Sequence, residues 1–147
     1  RVRSFRLRYR SEVLAVDERA FQQFWQLDSA GLDEVFGATP RARGRLVRDH
    51  HSVIAYSVVG LSGSEAFIQR LAVDPDHQGV GLGRALTVDG LAWAKSHMAG
   101  VAFVNTQRSN SAALELYDKL GFQRRSRPLT VMGLWLDDRP DGAAAGR

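Results

Sequence analysis

The stretch Leu71-Ala72-Val73-Asp74-Pro75-Asp76-His77-Gln78-Gly79-Val80-Gly81-Leu82-Gly83-Arg84 decides how the rest of the chain reads. An apolar strand ends in it, Asp74-Pro75-Asp76 makes a turn, and a helix opens among glycines 79, 81 and 83. The first N–H groups of a helix have no acceptor within it, and the helix dipole favours an anion there. Glycines remove the side chains that would hold a phosphate away from those donors. The turn is therefore suited to a phosphate or diphosphate. It is not the dinucleotide fingerprint G-x-G-x-x-G, because Arg84 stands where the third glycine is required. Gly-Lys-Ser/Thr is absent, which excludes a nucleoside-triphosphate loop. On the glycines alone, a helix start that binds nothing is the competing reading.

Outward from this turn, the halves of the chain differ. Upstream, Phe5, Leu7 and Tyr9 alternate with Arg6 and Arg8, which predicts a strand over 3–9. From Ser11 the period becomes helical, with Val13, Asp17, Ala20, Phe21 and Phe24 on one face. Residues 21–39 read as helical pieces broken at Gly31 and Gly37. Strands are predicted at Arg45–Arg48, Val53–Val59 and Ala66–Val73, with turns at Asp49–Ser52 and Leu61–Glu65. Downstream, a long helix over Val80–Ala99 stops at Gly100. A continuously apolar strand, Val101–Thr106, follows. A helix over Asn110–Leu120 has Asn110 as its cap and Gly121 as its left-handed end. Leu129–Leu136 is the last strand, and 137–147 reads as a disordered polar tail. With no internal repeat or linker, residues 1–136 form one domain: a mixed α/β (α+β) sheet with helices on both faces.

A chain of 147 residues, 44% hydrophobic and 24% charged, has the balance of a folded domain. No apolar run is long enough to span a membrane and no signal-peptide pattern opens the chain. The chain begins at Arg1, which leaves open what precedes it. Cysteine is absent, so disulfides, thiolate metal sites and a cysteine nucleophile are excluded, and a cytoplasmic setting fits. The net charge of +4 comes from arginine clusters at 1–10, 41–48 and 124–127. Solvated faces and a phosphate-rich cofactor both account for these, and nucleic acid is not an expected partner. His50-His51 has no third ligand in view, so no metal site is expected.

Gln78-Gly79-Val80-Gly81-Leu82-Gly83 resembles the Gln/Arg-x-x-Gly-x-Gly/Ala signature of the GNAT (Gcn5-related N-acetyltransferase) superfamily. A second stretch, Asn110-Ser-Ala-Ala-Leu-Glu-Leu-Tyr117-Asp-Lys-Leu-Gly121-Phe122, resembles its Asn-x-x-Ala-x-x-x-Tyr-x-x-x-Gly-Phe helix. The element order agrees from about residue 11 to 136. The resemblance implies a mostly antiparallel sheet whose strands 66–73 and 101–106 splay to admit acetyl-CoA. It also implies acetyl transfer to a primary amine of a small molecule, peptide or protein. The cofactor-binding residues would be Leu71, Ala72, Val73, Gln78, Gly79, Val80, Gly81, Leu82, Gly83, Arg84, Asn110 and Tyr117. Leu71 would supply the main-chain N–H for the oxyanion and Tyr117 the proton for the leaving thiolate. A homodimer is compatible with the resemblance.

The general base is not assigned. Where the family often has Glu, this chain has Phe67-Ile68-Gln69-Arg70, and Gln69 cannot take a proton at neutral pH. Glu65, Asp74 and His77 are candidates, and an acceptor of low pKa would need none. Asn105 ends a buried strand, as either a site residue or a backbone partner. Phe21, Phe24, Trp25 and Tyr56 line an acceptor pocket or belong to the core. A module that binds CoA without turnover is the alternative function.

Overall fold

The computed structural model describes residues 1–126 and 130–136. Seven described strands form one sheet in the order β1-β2-β3-β4-β5-β7-β6. They are β1 Val2–Ser4, β2 Arg41–Arg48, β3 Val53–Ser62, β4 Glu65–Val73, β5 Val101–Thr106, β6 Gln123–Ser126 and β7 Thr130–Trp135. All neighbours are antiparallel except β4 and β5. β3 is rich in apolar and β-branched residues and is buried from Val53 to Leu61, as a central strand covered on both faces requires.

Helices α1 (Arg10–Ala20) and α2 (Ser29–Gly37) cover one face, where Val13, Val16 and Leu32 meet Leu46, Tyr56, Val58 and Ala72. Helices α3 (Leu82–Ser96) and α4 (Ser111–Lys119) cover the other, where Ala94 and Tyr117 meet Val59, Ile68, Val104 and Met132. Gly90 lets α3 approach β3 closely, since a Cβ there would sit 2.5 Å from Val59 Cγ2. The mixed sheet with helices on both faces is thus as expected.

Several boundaries differ from the sequence reading. The strand expected over 3–9 stops at Ser4: Leu7–Tyr9 is a 3-10 turn and Leu7 points to solvent, because α1 begins at Arg10 and leaves no room for a longer strand. Gly31 does not break a helix. Asp28 caps α2 by accepting the Gly31 N–H at 2.7 Å, so the glycine sits inside the first turn. α3 starts at Leu82 rather than Val80, because Gly79 and Gly81 both take positive φ, and it ends at Ser96 rather than Gly100. β6 carries no apolar alternation and was not expected; it pairs with β7 at the sheet edge. The last strand is described over Thr130–Trp135, and Leu129, where it was expected to start, lies outside the described residues. The tail expected at 137–147 lies outside the described residues.

β4 and β5 pair at only four positions, Glu65↔Val101 to Ile68↔Val104. On the other side of β4 the register skips a residue: Val58 faces Arg70 and Val59 faces Ile68, which leaves Gln69 as the extra residue of a bulge. A bulge bends its strand and raises the local twist. The bend falls where pairing with β5 ends, so β4 from Gln69 to Val73 leaves β5. The expected parting of these strands is present, and the bulge is its physical cause.

Candidate active site

The parted stretch of β4 offers main-chain groups to the gap. Asp74 N–H donates to Ile54 O of β3 at 2.8 Å. Strand alternation then turns the Ala72 N–H toward β3 and those of Leu71 and Val73 toward the open side. Gln78 Nε2 donates to Val73 O at 3.3 Å from that open side. Ala72 pairs with Tyr56 of β3 and is buried, so it helps to hold the strand in place.

The glycine turn lies beside this edge. Gly79 (φ +79) and Gly81 (φ +86) adopt the left-handed conformation, and a Cβ at either would meet nothing within 4 Å. Bare backbone here faces open space. Gly81 precedes α3 with no side-chain cap, and the first donor to find an acceptor is Ala85 N–H, on Gly81 O at 3.0 Å. The N–H groups of Leu82, Gly83 and Arg84 therefore point past the helix end, where an anion is favoured. Gly83 joins three elements: a Cβ there would lie 3.3 Å from Leu116 of α4 and 3.8 Å from Leu71 and Val73. Arg84 and Val80 are exposed at the turn.

α4, which carries Asn110 at its start and Tyr117 near its end, approaches the turn through Leu116. Asn110 Oδ1 accepts the Ala113 N–H at 3.2 Å and caps the helix. The helix ends with Gly121 at φ +90 and Phe122 N–H on Tyr117 O at 3.0 Å, a left-handed termination. Tyr117 is 3% exposed, with Phe122 against its ring at 5.3 Å. Burial pushes its phenol well above the usual value, so it stays protonated and has an O–H to donate.

At the apex of the gap is a cavity of about 280 Å³ lined by Phe67, Ile68 and Gln69 of β4 and Phe103, Val104 and Asn105 of β5. Asn105 thus lies at the site. The three base candidates do not line this cavity. Glu65 opposes Val101 at the start of β4. Asp74 and His77 lie past its other end, where Asp74 Oδ1 accepts from Arg19 at 3.2 Å and from the Asp76 N–H at 2.9 Å. His77 Nδ1 is 3.5 Å from that same oxygen.

The sequence reading missed a buried lock beside the cavity. Asp17 is 0% exposed. Its Oδ1 accepts from Leu27 N–H (2.7 Å) and Arg70 Nη2 (2.8 Å), and its Oδ2 from Arg70 Nε (2.8 Å) and Tyr56 OH (2.5 Å). Arg70 also donates to Trp25 O at 2.7 Å and lies over the Phe21 ring at 3.6 Å. Tyr56 therefore belongs to this lock and not to an acceptor pocket. The signal was present: an acid on an apolar helix stripe and an arginine in an apolar strand each demand a buried partner. Phe24 (85% exposed) and Trp25 (42% exposed) pack edge to face at 5.0 Å on the surface of the loop so held.

The model of the Acetyltransferase (GNAT) family matches residues 10–122. Mycothiol acetyltransferase of Thermobispora bispora is 36% identical over 107 residues, which are 73% of this chain and 34% of that protein. The chain spans about a third of the length of this relative and of the one from Tsukamurella paurometabola. The ribosomal-protein-S18-alanine N-acetyltransferase of Escherichia coli has the same fold, with a TM-score of 0.82 at 21% identity over 97% of each chain. The PaiA N-acetyltransferase of Thermoplasma acidophilum, solved with coenzyme A, gives 0.78 at 12% identity over 92% of this chain and 98% of that one. The family match takes in the bulged strand, the glycine turn and the capped helix in a single span, and the chain belongs to the acetyltransferase (GNAT) family.

Proposed function

We propose that residues 1–136 form one N-acetyltransferase domain that moves an acetyl group from acetyl-CoA to a primary amine. The observation that carries this reading is the departure of β4 from β5 at Gln69, with the donors of the glycine turn beside it. A long thin ligand with a diphosphate at one end fits both features. The main-chain N–H groups from Gln78 to Arg84 would hold the diphosphate, with the Arg84 side chain adding charge. Leu71 and Val73 would pair with the amide-bearing arm, as an added strand does. Asn110 and Tyr117 flank the arm from α4.

Bound acetyl-CoA supplies a thioester open to attack by a neutral amine. The Leu71 N–H meets the negative charge that develops on the carbonyl oxygen, a service worth about 10²–10³ in rate. Tyr117 holds a proton for the departing sulfur. A cytoplasmic location belongs to the proposal and rests on the cysteine-free sequence. Among the described residues no helix is long and apolar enough to cross a membrane.

Thiol release from acetyl-CoA with a panel of amines tests the activity, and calorimetry tests the binding. Turnover is expected. Tight binding with no release on any acceptor would favour a CoA-binding module instead. Tyr117→Phe should lower kcat by about 10²-fold, the usual scale for a proton donor, and more than it weakens acetyl-CoA binding; an unchanged kcat would remove Tyr117 from the chemistry.

A further inference from the structure

The buried lock on Asp17 sits one residue from the main-chain donor that acetyl transfer would use. Arg70 gives its side chain to the lock and its carbonyl to the peptide unit that carries the Leu71 N–H. The backbone here has a choice of register. A bulge is one extra residue, and sliding it along a strand turns the side chains it passes to the opposite face. The extra residue is Gln69, with Arg70 opposite Val58 and Ile68 opposite Val59. Val58 and Tyr56 belong to the cluster under α1 and α2, so Arg70 emerges on that same face. Leu71, opposite Ser57, packs on the other face in the cluster of Leu86 from α3. Were Leu71 the extra residue, Arg70 would oppose Ser57, and its guanidinium would be carried to the α3 face, away from Asp17.

The grip that keeps Arg70 on the α1 face is stiff. Nε meets Oδ2 of Asp17 and Nη2 meets Oδ1, each at 2.8 Å, and Nη2 also donates to Trp25 O at 2.7 Å. The Phe21 ring lies 3.6 Å from the guanidinium. Asp17 is held in turn by the Leu27 N–H and by the hydroxyl of Tyr56, whose own backbone opposes Ala72. The lock thus ties α1 and the loop after it to β4 at Arg70, and to β3 opposite Ala72. A two-pronged bond to a planar group fixes orientation as well as place. Resting on the acetyl-transfer reading above, we infer that Arg70, held by Asp17, is a positioning residue: it keeps the extra residue at Gln69 and so keeps the Leu71 N–H aimed into the gap, toward the acetyl carbonyl oxygen. Asp17, fully buried, acts only through Arg70.

The test separates positioning from stability. Asp17→Leu with Arg70→Met removes both charges, so this double variant should melt above Arg70→Met alone. A lock that only stabilises would let kcat recover together with Tm. A positioning lock would not. In the folded double variant, kcat for thiol release should stay about 10²-fold below wild type, the scale of a misplaced oxyanion donor. The acetyl-CoA Kd should change no more than about tenfold, because the glycine turn is untouched. Arg70→Lys keeps the counter-charge and loses the fork, so the chain stays folded while kcat falls at least about tenfold. The infrared stretch of bound acetyl-CoA, isotope-labelled at the thioester carbonyl, reads the Leu71 donor directly. It should lie below the free value in wild type and return toward it in both variants. Wild-type kcat, or an unmoved carbonyl band, in either folded variant would overturn the inference and leave acetyl transfer standing. No thiol release by the wild-type protein with any of a panel of amines would overturn acetyl transfer itself.

Discussion

Asp17→Asn changes one atom of the buried lock, and its cost can be worked out from the four donors that converge on the carboxylate. An asparagine keeps one acceptor oxygen and replaces the other with an NH₂ donor. If the NH₂ takes the place of Oδ1, it meets the Leu27 N–H and Arg70 Nη2, two donors that cannot turn away. If it replaces Oδ2, Tyr56 can rotate its hydroxyl to accept, but Arg70 Nε is left facing a donor. Either way a fixed donor is stranded, and the Arg70 guanidinium, only 15% exposed, loses its counter-charge. Breaking one side of such a pair costs about 3–5 kcal/mol. At about 2–4 °C per kcal/mol for a chain of this size, Tm should fall by roughly 6–20 °C. Urea unfolding should show a lower midpoint with the slope unchanged. Removing both partners, as in Asp17→Leu with Arg70→Met, should cost less than the sum of the single changes because no charge is left behind. A loss below about 1 kcal/mol in Asp17→Asn, the scale of an exposed ion pair, would show that the carboxylate is not held as described.

Two further outcomes follow from the same structure. The three tyrosines should titrate unequally. The hydrogen bond from Arg8 lowers the phenol of Tyr9, whereas burial, joined for Tyr56 by the Asp17 charge, raises those of Tyr56 and Tyr117. Ultraviolet titration of the native protein should show one phenol ionising by about pH 10, the usual value, and the other two only as the chain unfolds. For the raised pair, stability is full below pH 10 and drains away as pH climbs toward their folded values. Three phenols titrating together would refute the burial of Tyr56 and Tyr117. Gly81→Ala should cost about 1–2 kcal/mol through its left-handed backbone alone, because its new Cβ meets nothing within 4 Å. Acetyl-CoA binding should weaken up to about tenfold if the turn relaxes; unchanged stability and affinity would mean the turn is not left-handed.

The parts of the site that could be read from the chain are those whose causes are local. Gly79 and Gly81 need positive φ, Asn110 caps the turn that follows it, and Gly121 ends α4, each within a few residues. The parts that could not be read depend on partners distant along the chain. Asp17 and Arg70 are 53 residues apart and each reads as an error in its own element until the other is seen. β6 is a run of polar residues that becomes a strand only because β7 offers it an edge. The Gln69 bulge is a mismatch between the registers of β3 and β4, so no window of sequence contains it. The proposed function nevertheless rests on that bulge. Without the extra residue, β4 would run straight, its amides would go on pairing with β5, and the phosphate-ready turn would stand beside a closed sheet. The glycine turn leaves donors open at a helix end, and the Leu71 and Val73 N–H groups face the same open side, so the proposed binding of acetyl-CoA rests on both features together.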